Sequence, residues 1–158
     1  MEAYAQIINQ INSSIMDFNE QLSEKHAIPA LPSVTDSSFM NLAKTPWEQQ
    51  FWPNKDANGV YFLFGYKESN RGIPALYIGK ASLTNIGARL YKHLYHQRNE
   101  PKYRMNIESA NPCVVEIVTS IDLSSNHAPS LAVALEEFLI RALRSKVYLM
   151  NSVGNCGK

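Results

Sequence analysis

Cysteine is scarce in this chain: Cys113 and Cys156 are the whole complement of 158 residues. Two thiols at that separation form neither a metal-ligand pattern nor a disulfide framework, so a reducing, cytoplasmic setting is expected. No apolar run is long enough to cross a bilayer, which argues against a membrane-spanning protein. The first residues, MEAYAQIINQ, lack a basic stretch followed by an apolar one, so no secretory leader is expected. Internal repeats and low-complexity tracts are absent as well. Charge of one sign is also missing: fifteen Lys and Arg face fourteen Asp and Glu, a formal net charge of +1. Binding of nucleic acid by bulk charge is thereby excluded, and any such binding must rest on local clustering.

What is present is a hydrophobic share of 45%, ordinary for one compact domain with an appendage. One basic cluster stands out, with Arg89, Lys92, His93, His96, Arg98, Lys102 and Arg104 against Glu100 alone. It reads either as a solvated helix face or as a patch for an anionic partner. Near the N-terminus, Tyr4, Ile8, Ile11, Ile15, Phe18 and Leu22 recur at spacings of four and three, a heptad seam on one helix face. A seam of about three heptads needs a partner. Packing on the chain's own core and a homodimer through residues 4–22 are the two ways to supply it.

Three units are expected: an N-terminal amphipathic helix over 1–25, a Pro-rich linker over 26–57, and a main domain over 58–158. Pro29, Pro32, Pro46 and Pro53 interrupt any long helix in the second unit. Trp47, Phe51 and Trp52 within it either stack on bases or pin the segment to the domain surface. In the main domain, Val60–Tyr66 and Ala75–Gly79 read as a hairpin joined by the polar turn KESNRG, longer than usual. Ile86–Gln97 reads as a helix capped by Asn85. Cys113–Thr119 reads as a third strand, Ser124–Pro129 as a loop, and Ser130–Ser145 as a largely buried helix. Hairpin, helix, strand, helix is an α+β pattern: a small three-stranded, mainly antiparallel sheet flanked by helices.

The tripeptides Gly59-Val60-Tyr61 and Tyr77-Ile78-Gly79 lie on the two hairpin strands. Together they resemble the paired signature of the GIY-YIG nuclease superfamily. Further residues fit its motif set in order: Lys80 directly after the second tripeptide, Arg89 and His93 on the next helix, Glu136 on the later helix, and Asn151 near the end. Val60 in place of isoleucine and a longer stretch from Glu136 to Asn151 depart from the family pattern. The resemblance covers 59–151 and leaves the first 58 residues unexplained.

It implies a divalent-metal-dependent endonuclease that hydrolyses DNA to 5′-phosphate and 3′-hydroxyl ends, of restriction or defence type. Glu136 would hold Mg²⁺ or Mn²⁺, with Glu137 as the rival. Arg89, with Lys80, Lys92 and Asn151, would bind substrate. Tyr61 would accept a proton or orient the water, its pKa depressed by Lys80 or the metal; Tyr77 would hydrogen-bond phosphate or water, and His93 would share the proton. An arginine fork does match phosphate geometry, and one carboxylate with waters and substrate phosphate makes a sparse Mg²⁺ site. Each residue also has a plainer reading: strand tyrosines as packing groups, Asn151 as a turn cap, His93 as structural. The alternative for the whole is a catalytically silent domain that binds nucleic acid or protein.

Overall fold

A computed structural model describes residues 2–34, 38–124 and 130–151. Cys156 and most of the expected loop before the last helix lie outside the described residues. The chain is a mixed α/β fold, and its sheet is larger than the sequence suggested. Among the described residues six strands, not three, form one sheet. The three long ones stand where the sequence put them, at β2 (Gly59–Lys67), β3 (Asn70–Ala81) and β5 (Cys113–Asp122). The additions are β1 (Met40–Asn41), β4 (Tyr103–Met105) and β6 (Tyr148–Leu149). Strands of two or three residues carry too few alternations to register as a pattern, so only tertiary pairing makes them visible. The order is β1-β5-β2-β3-β6, with β4 also on β5; β6 runs parallel to β3 and every other pairing is antiparallel. The hairpin turn also departs from expectation. Lys67 pairs with Asn70, leaving Glu68 and Ser69 as a two-residue turn beside a bulge at Tyr66/Lys67. What read as a long polar turn is the exposed start of β3.

Each strand alternates its side chains between two faces, and each face builds a core. Val60, Phe62, Phe64, Leu76, Ile78, Ile117 and Ile121 point to one side. There they meet α1 (Glu2–Asn19) and α3 (Ser130–Leu143). Tyr61, Leu63, Ala75, Val115 and Val118 point to the other side, under α2 (Ile86–Leu94) with Ile86, Leu90 and Leu94. Asn85 caps α2, its side chain accepting from the Ala88 amide at 2.8 Å.

The α1 seam finds its partner within the chain. Tyr4, Ile8, Ile11, Ile15 and Phe18 are all buried in the core against α3 and the sheet, with Leu22 packed at its margin. A homodimer through residues 4–22 would need this same apolar surface, which folding has already removed from water.

The segment over 26–57 is likewise fastened to the domain. Ile28, Leu31, Met40, Leu42 and Trp47 are buried, and Met40 pairs with Val118 in the sheet. Its fastening uses one device repeatedly. Asn12 donates to the Leu31 carbonyl at 3.0 Å and accepts from its amide at 2.7 Å. Asn19 does the same to Ile28, at 2.8 Å both ways. Gln50 embraces Asn41 in the same manner, and Gln97 embraces Arg104. A side-chain amide thus stands in for a missing strand neighbour and satisfies both backbone groups of one residue.

Candidate active site

β3 is an edge strand for much of its length. β6 pairs only with Ala75 and Leu76. Beyond them the strand carries Tyr77 on the α2 face and Lys80 on the α3 face, so groups from both sides of the sheet meet at this edge.

On the α2 side the hub is Tyr61. Its phenol lies 3.0 Å from His93 Nε2, and its ring sits 6.1 Å from that of Tyr77. Tyr77 and His93 stack edge-on at 5.1 Å. Gly79 lies opposite Tyr61 across the hairpin. A Cβ at Gly79 would fall 2.2 Å from Tyr61 Cζ and 2.4 Å from its hydroxyl, so only glycine lets the phenol lie flat on β3. That is a physical reason for the third residue of the second tripeptide. The Arg89 guanidinium acts on both Tyr61 and His93. Its position one helical turn before His93 follows from their spacing on α2.

On the α3 side, Lys80 Nζ pairs with Glu136 Oε2 at 2.5 Å; their side chains are 34% and 6% exposed. The two sides communicate through Tyr77. Burial raises its hydroxyl pKa, the Glu136 carboxylate adds to the rise, and Arg89 and Lys80 pull it down. Tyr77, half-buried, thus lies within electrostatic reach of charges on both faces of the sheet.

The protonation states differ from the sequence expectation. Burial raises the Tyr61 pKa well above the ordinary phenol value, with Tyr77 adding to the rise and Arg89 only partly opposing it. Tyr61 is 0% exposed, and Lys80 is engaged with Glu136 rather than with the phenol. Lys80 therefore does not depress Tyr61: with no cation other than Arg89 beside it among the described residues, a phenolate there would lose its hydration, and the hydroxyl keeps its proton. His93 moves the opposite way, lowered to about 4 by burial and by Arg89, so the imidazole is neutral at neutral pH.

Two further expected residues stand elsewhere. Asn151 is buried, and its amide is spent on β3: it accepts from the Ile78 amide at 3.1 Å and donates to the Ile78 carbonyl at 2.7 Å. This is the fastening device seen above, and it leaves the side chain turned to the backbone, not to a substrate. Lys92 is exposed on the outer face of α2, beside the site rather than within it. Glu137, the rival ligand, is exposed, whereas Glu136 points inward to Lys80. The basic cluster divides too. Arg104 grips Glu68, with Nε at 3.0 and 3.1 Å from its two oxygens, and Arg98 lies 3.9 Å from Glu48. The charge run is therefore partly neutralised by acidic residues distant in sequence.

The Mg²⁺ or Mn²⁺ expectation can be weighed from the donor set. Among the described residues no group of three or more His, Cys, Asp or Glu gathers to hold an ion. One carboxylate, Glu136, is on offer, with one oxygen bound to Lys80. A Mg²⁺ ion retains several waters and takes substrate phosphate oxygens, so one carboxylate oxygen suits it; a dedicated protein cage would not.

The geometry supplies a forked cation, a second cation, a half-buried tyrosine, a neutral imidazole and a carboxylate along the edge of β3. Among the described residues no helix is long and apolar enough to cross a membrane. No family model matches the chain, and no curated protein or solved structure matches it at a significant level.

Proposed function

We propose that the chain is a metal-dependent phosphodiesterase that cleaves DNA, a nuclease of the GIY-YIG type. The observation that carries this reading is the gathering of Tyr77, Lys80, Arg89, His93 and Glu136 around one edge of β3, from separate elements of the fold. Packing alone gives no reason to bring a buried carboxylate, two cations and a neutral histidine together there.

In this reading Arg89 grips the phosphate and neutralises charge building on its oxygens. Tyr77 hydrogen-bonds the same phosphate or the attacking water. His93, held neutral by burial, is the proton acceptor. Tyr61 is a positioning residue: fully buried, it fixes the imidazole and the guanidinium. Glu136 would hold a divalent ion, which supplies charge stabilisation at the leaving oxygen. Lys80 holds the Glu136 carboxylate in place.

The reading is tested with purified protein on plasmid, single-stranded and branched DNA, with Mg²⁺, with Mn²⁺, and with chelator. Metal-dependent cutting to 5′-phosphate ends is expected, and Arg89→Ala or Glu136→Gln should slow it by about a hundredfold or more without loss of the thermal unfolding transition. No cleavage of any of these substrates with either metal overturns it. A second reading draws on the Lys80–Glu136 pair at 2.5 Å. An ammonium already occupies the one carboxylate, as suits a catalytically silent binding module. Wild-type behaviour of Arg89→Ala in every nucleic-acid assay would favour that reading.

A further inference from the structure

The outer side of α2 carries a second feature that the chemistry above does not use. Trp52, Lys55, Asp56, Tyr91 and Lys92 border an open groove of about 460 Å³. A smaller hollow of about 260 Å³ adjoins it, lined by Gln50, Phe51, Trp52 and Lys55. Trp52 and Lys55 belong to both, so an aromatic ring and an ammonium mark the ridge between two successive depressions. Phe51 is 77% exposed, and Tyr91 is exposed with Tyr95 beside it at 4.9 Å.

These rings are held, not loose. Trp47 is buried and meets Trp52 edge-on at 5.1 Å and Tyr91 edge-on at 5.8 Å. The Trp52 indole donates to the Trp47 carbonyl at 2.9 Å. Trp47 therefore acts as the pin, and it presents Trp52 and Tyr91 as fixed walls. The charge is specific as well. Among the described residues, Lys55 and Lys92 form no ion pair, whereas Arg98 and Arg104 are both paired with glutamates. Asp56 is the one acidic group on the groove.

Flat aromatic walls spaced by unpaired ammonium groups fit a ligand with alternating flat rings and negative charges. We propose that this groove binds an unpaired stretch of nucleic acid, its bases against Trp52 and Tyr91 and its phosphates toward Lys55 and Lys92. Bases inside a continuous duplex have no free face to offer, so the groove selects single-stranded or branched substrate. Lys92 stands one turn from Arg89 on the same helix, so the strand would run from the groove toward the candidate site. This names the substrate class for the proposed nuclease and rests on that reading, but groove occupancy is measurable without cleavage.

The experiment is equilibrium binding in chelator, read by tryptophan fluorescence and by anisotropy. The probes are a twelve-nucleotide thymidine strand and a blunt duplex of the same length. The single strand should bind at least about tenfold more tightly and quench the tryptophans. Tyr91→Ala should weaken it by about tenfold, the scale of one lost base stack, and Tyr91→Phe should restore it. Equal affinity for the two probes, no binding of either, or an unchanged Tyr91→Ala protein overturns the groove. If the single strand binds as stated but no DNA is cut with Mg²⁺ or Mn²⁺, the groove stands and the hydrolase reading falls. If DNA is cut and the single strand fails to bind, the reverse holds.

Discussion

Adding one methyl group at Gly79 should test whether the second tripeptide is a packing requirement of Tyr61. The new Cβ would lie 2.2 Å from Tyr61 Cζ, where ordinary contact begins at 3.4 Å. The ring must retreat by about 1.2 Å. It is fully buried, and its hydroxyl is fixed to His93 at 3.0 Å. Overpacking of a well-filled site costs roughly 1–3 kcal/mol, and the strained hydrogen bond adds about 1 kcal/mol. The stiffer unfolded chain returns roughly 0.4–1 kcal/mol. Gly79→Ala should therefore destabilise by roughly 1–3.5 kcal/mol, read from urea unfolding. Gly72→Ala is the control: its Cβ meets only the Asn70 side-chain oxygen at 3.1 Å on an exposed stretch, so roughly 0.5 kcal/mol or less is expected. In a Tyr61→Val background, which has no ring to collide with, most of the Gly79→Ala cost should vanish. A Gly79→Ala protein as stable as wild type, or a cost that persists in full once the Tyr61 ring has been removed, would refute the reasoning.

Asn151→Ala should leave the Ile78 amide and carbonyl without their partner and cost roughly 2–4 kcal/mol, with faster amide exchange at Ile78; wild-type stability with a defect confined to substrate affinity would contradict the structural role. His93 gives a pH signature. Its folded pKa of about 4 lies below the ordinary value of 6.5, so between these the unfolded chain binds the extra proton. Its contribution is whole above about pH 6.5 and is lost as pH falls toward 4, at a slope of at most about 1.4 kcal/mol per pH unit. His93→Gln should flatten that part of the stability profile, and an unchanged profile would place the titration elsewhere.

How far the sequence showed this molecule depends on the kind of signal. β2, β5 and α3 were legible because their apolar runs, β-branched in β5 and 14 residues long in α3, persist long enough to outvote local accident. α2 was legible to Leu94, after which Tyr95–Gln97 tightens into a 3₁₀ turn. The three short strands were not legible, because their backbone partners are set by chain neighbours far away. The same holds for the paired amides. Asn12 and Asn19 lie off the heptad seam of α1, yet they hold Leu31 and Ile28 in place. A side-chain amide bonded to a distant backbone leaves no periodic trace, so the bonds of Asn151 to Ile78 could not be read from its place along the chain.

Tyr61 shows the physical limit of reading roles from order. The sequence can put a phenol on a strand beside cations, but it cannot say whether water reaches that phenol. Solvent access decides which of two neighbouring groups titrates. With the ring wholly buried, the energetic cost of a phenolate exceeds what Arg89 returns, so the proton stays on Tyr61. Burial acts on His93 with the opposite consequence, because for a histidine the neutral form is the base. One apolar environment thus removes basicity from the tyrosine and leaves an uncharged acceptor on the histidine 3.0 Å away. In the proposed nuclease the imidazole is an uncharged acceptor at neutral pH, although a folded pKa of about 4 makes it a weaker base than an ordinary histidine, and Tyr61→Phe should retain more activity than His93→Ala.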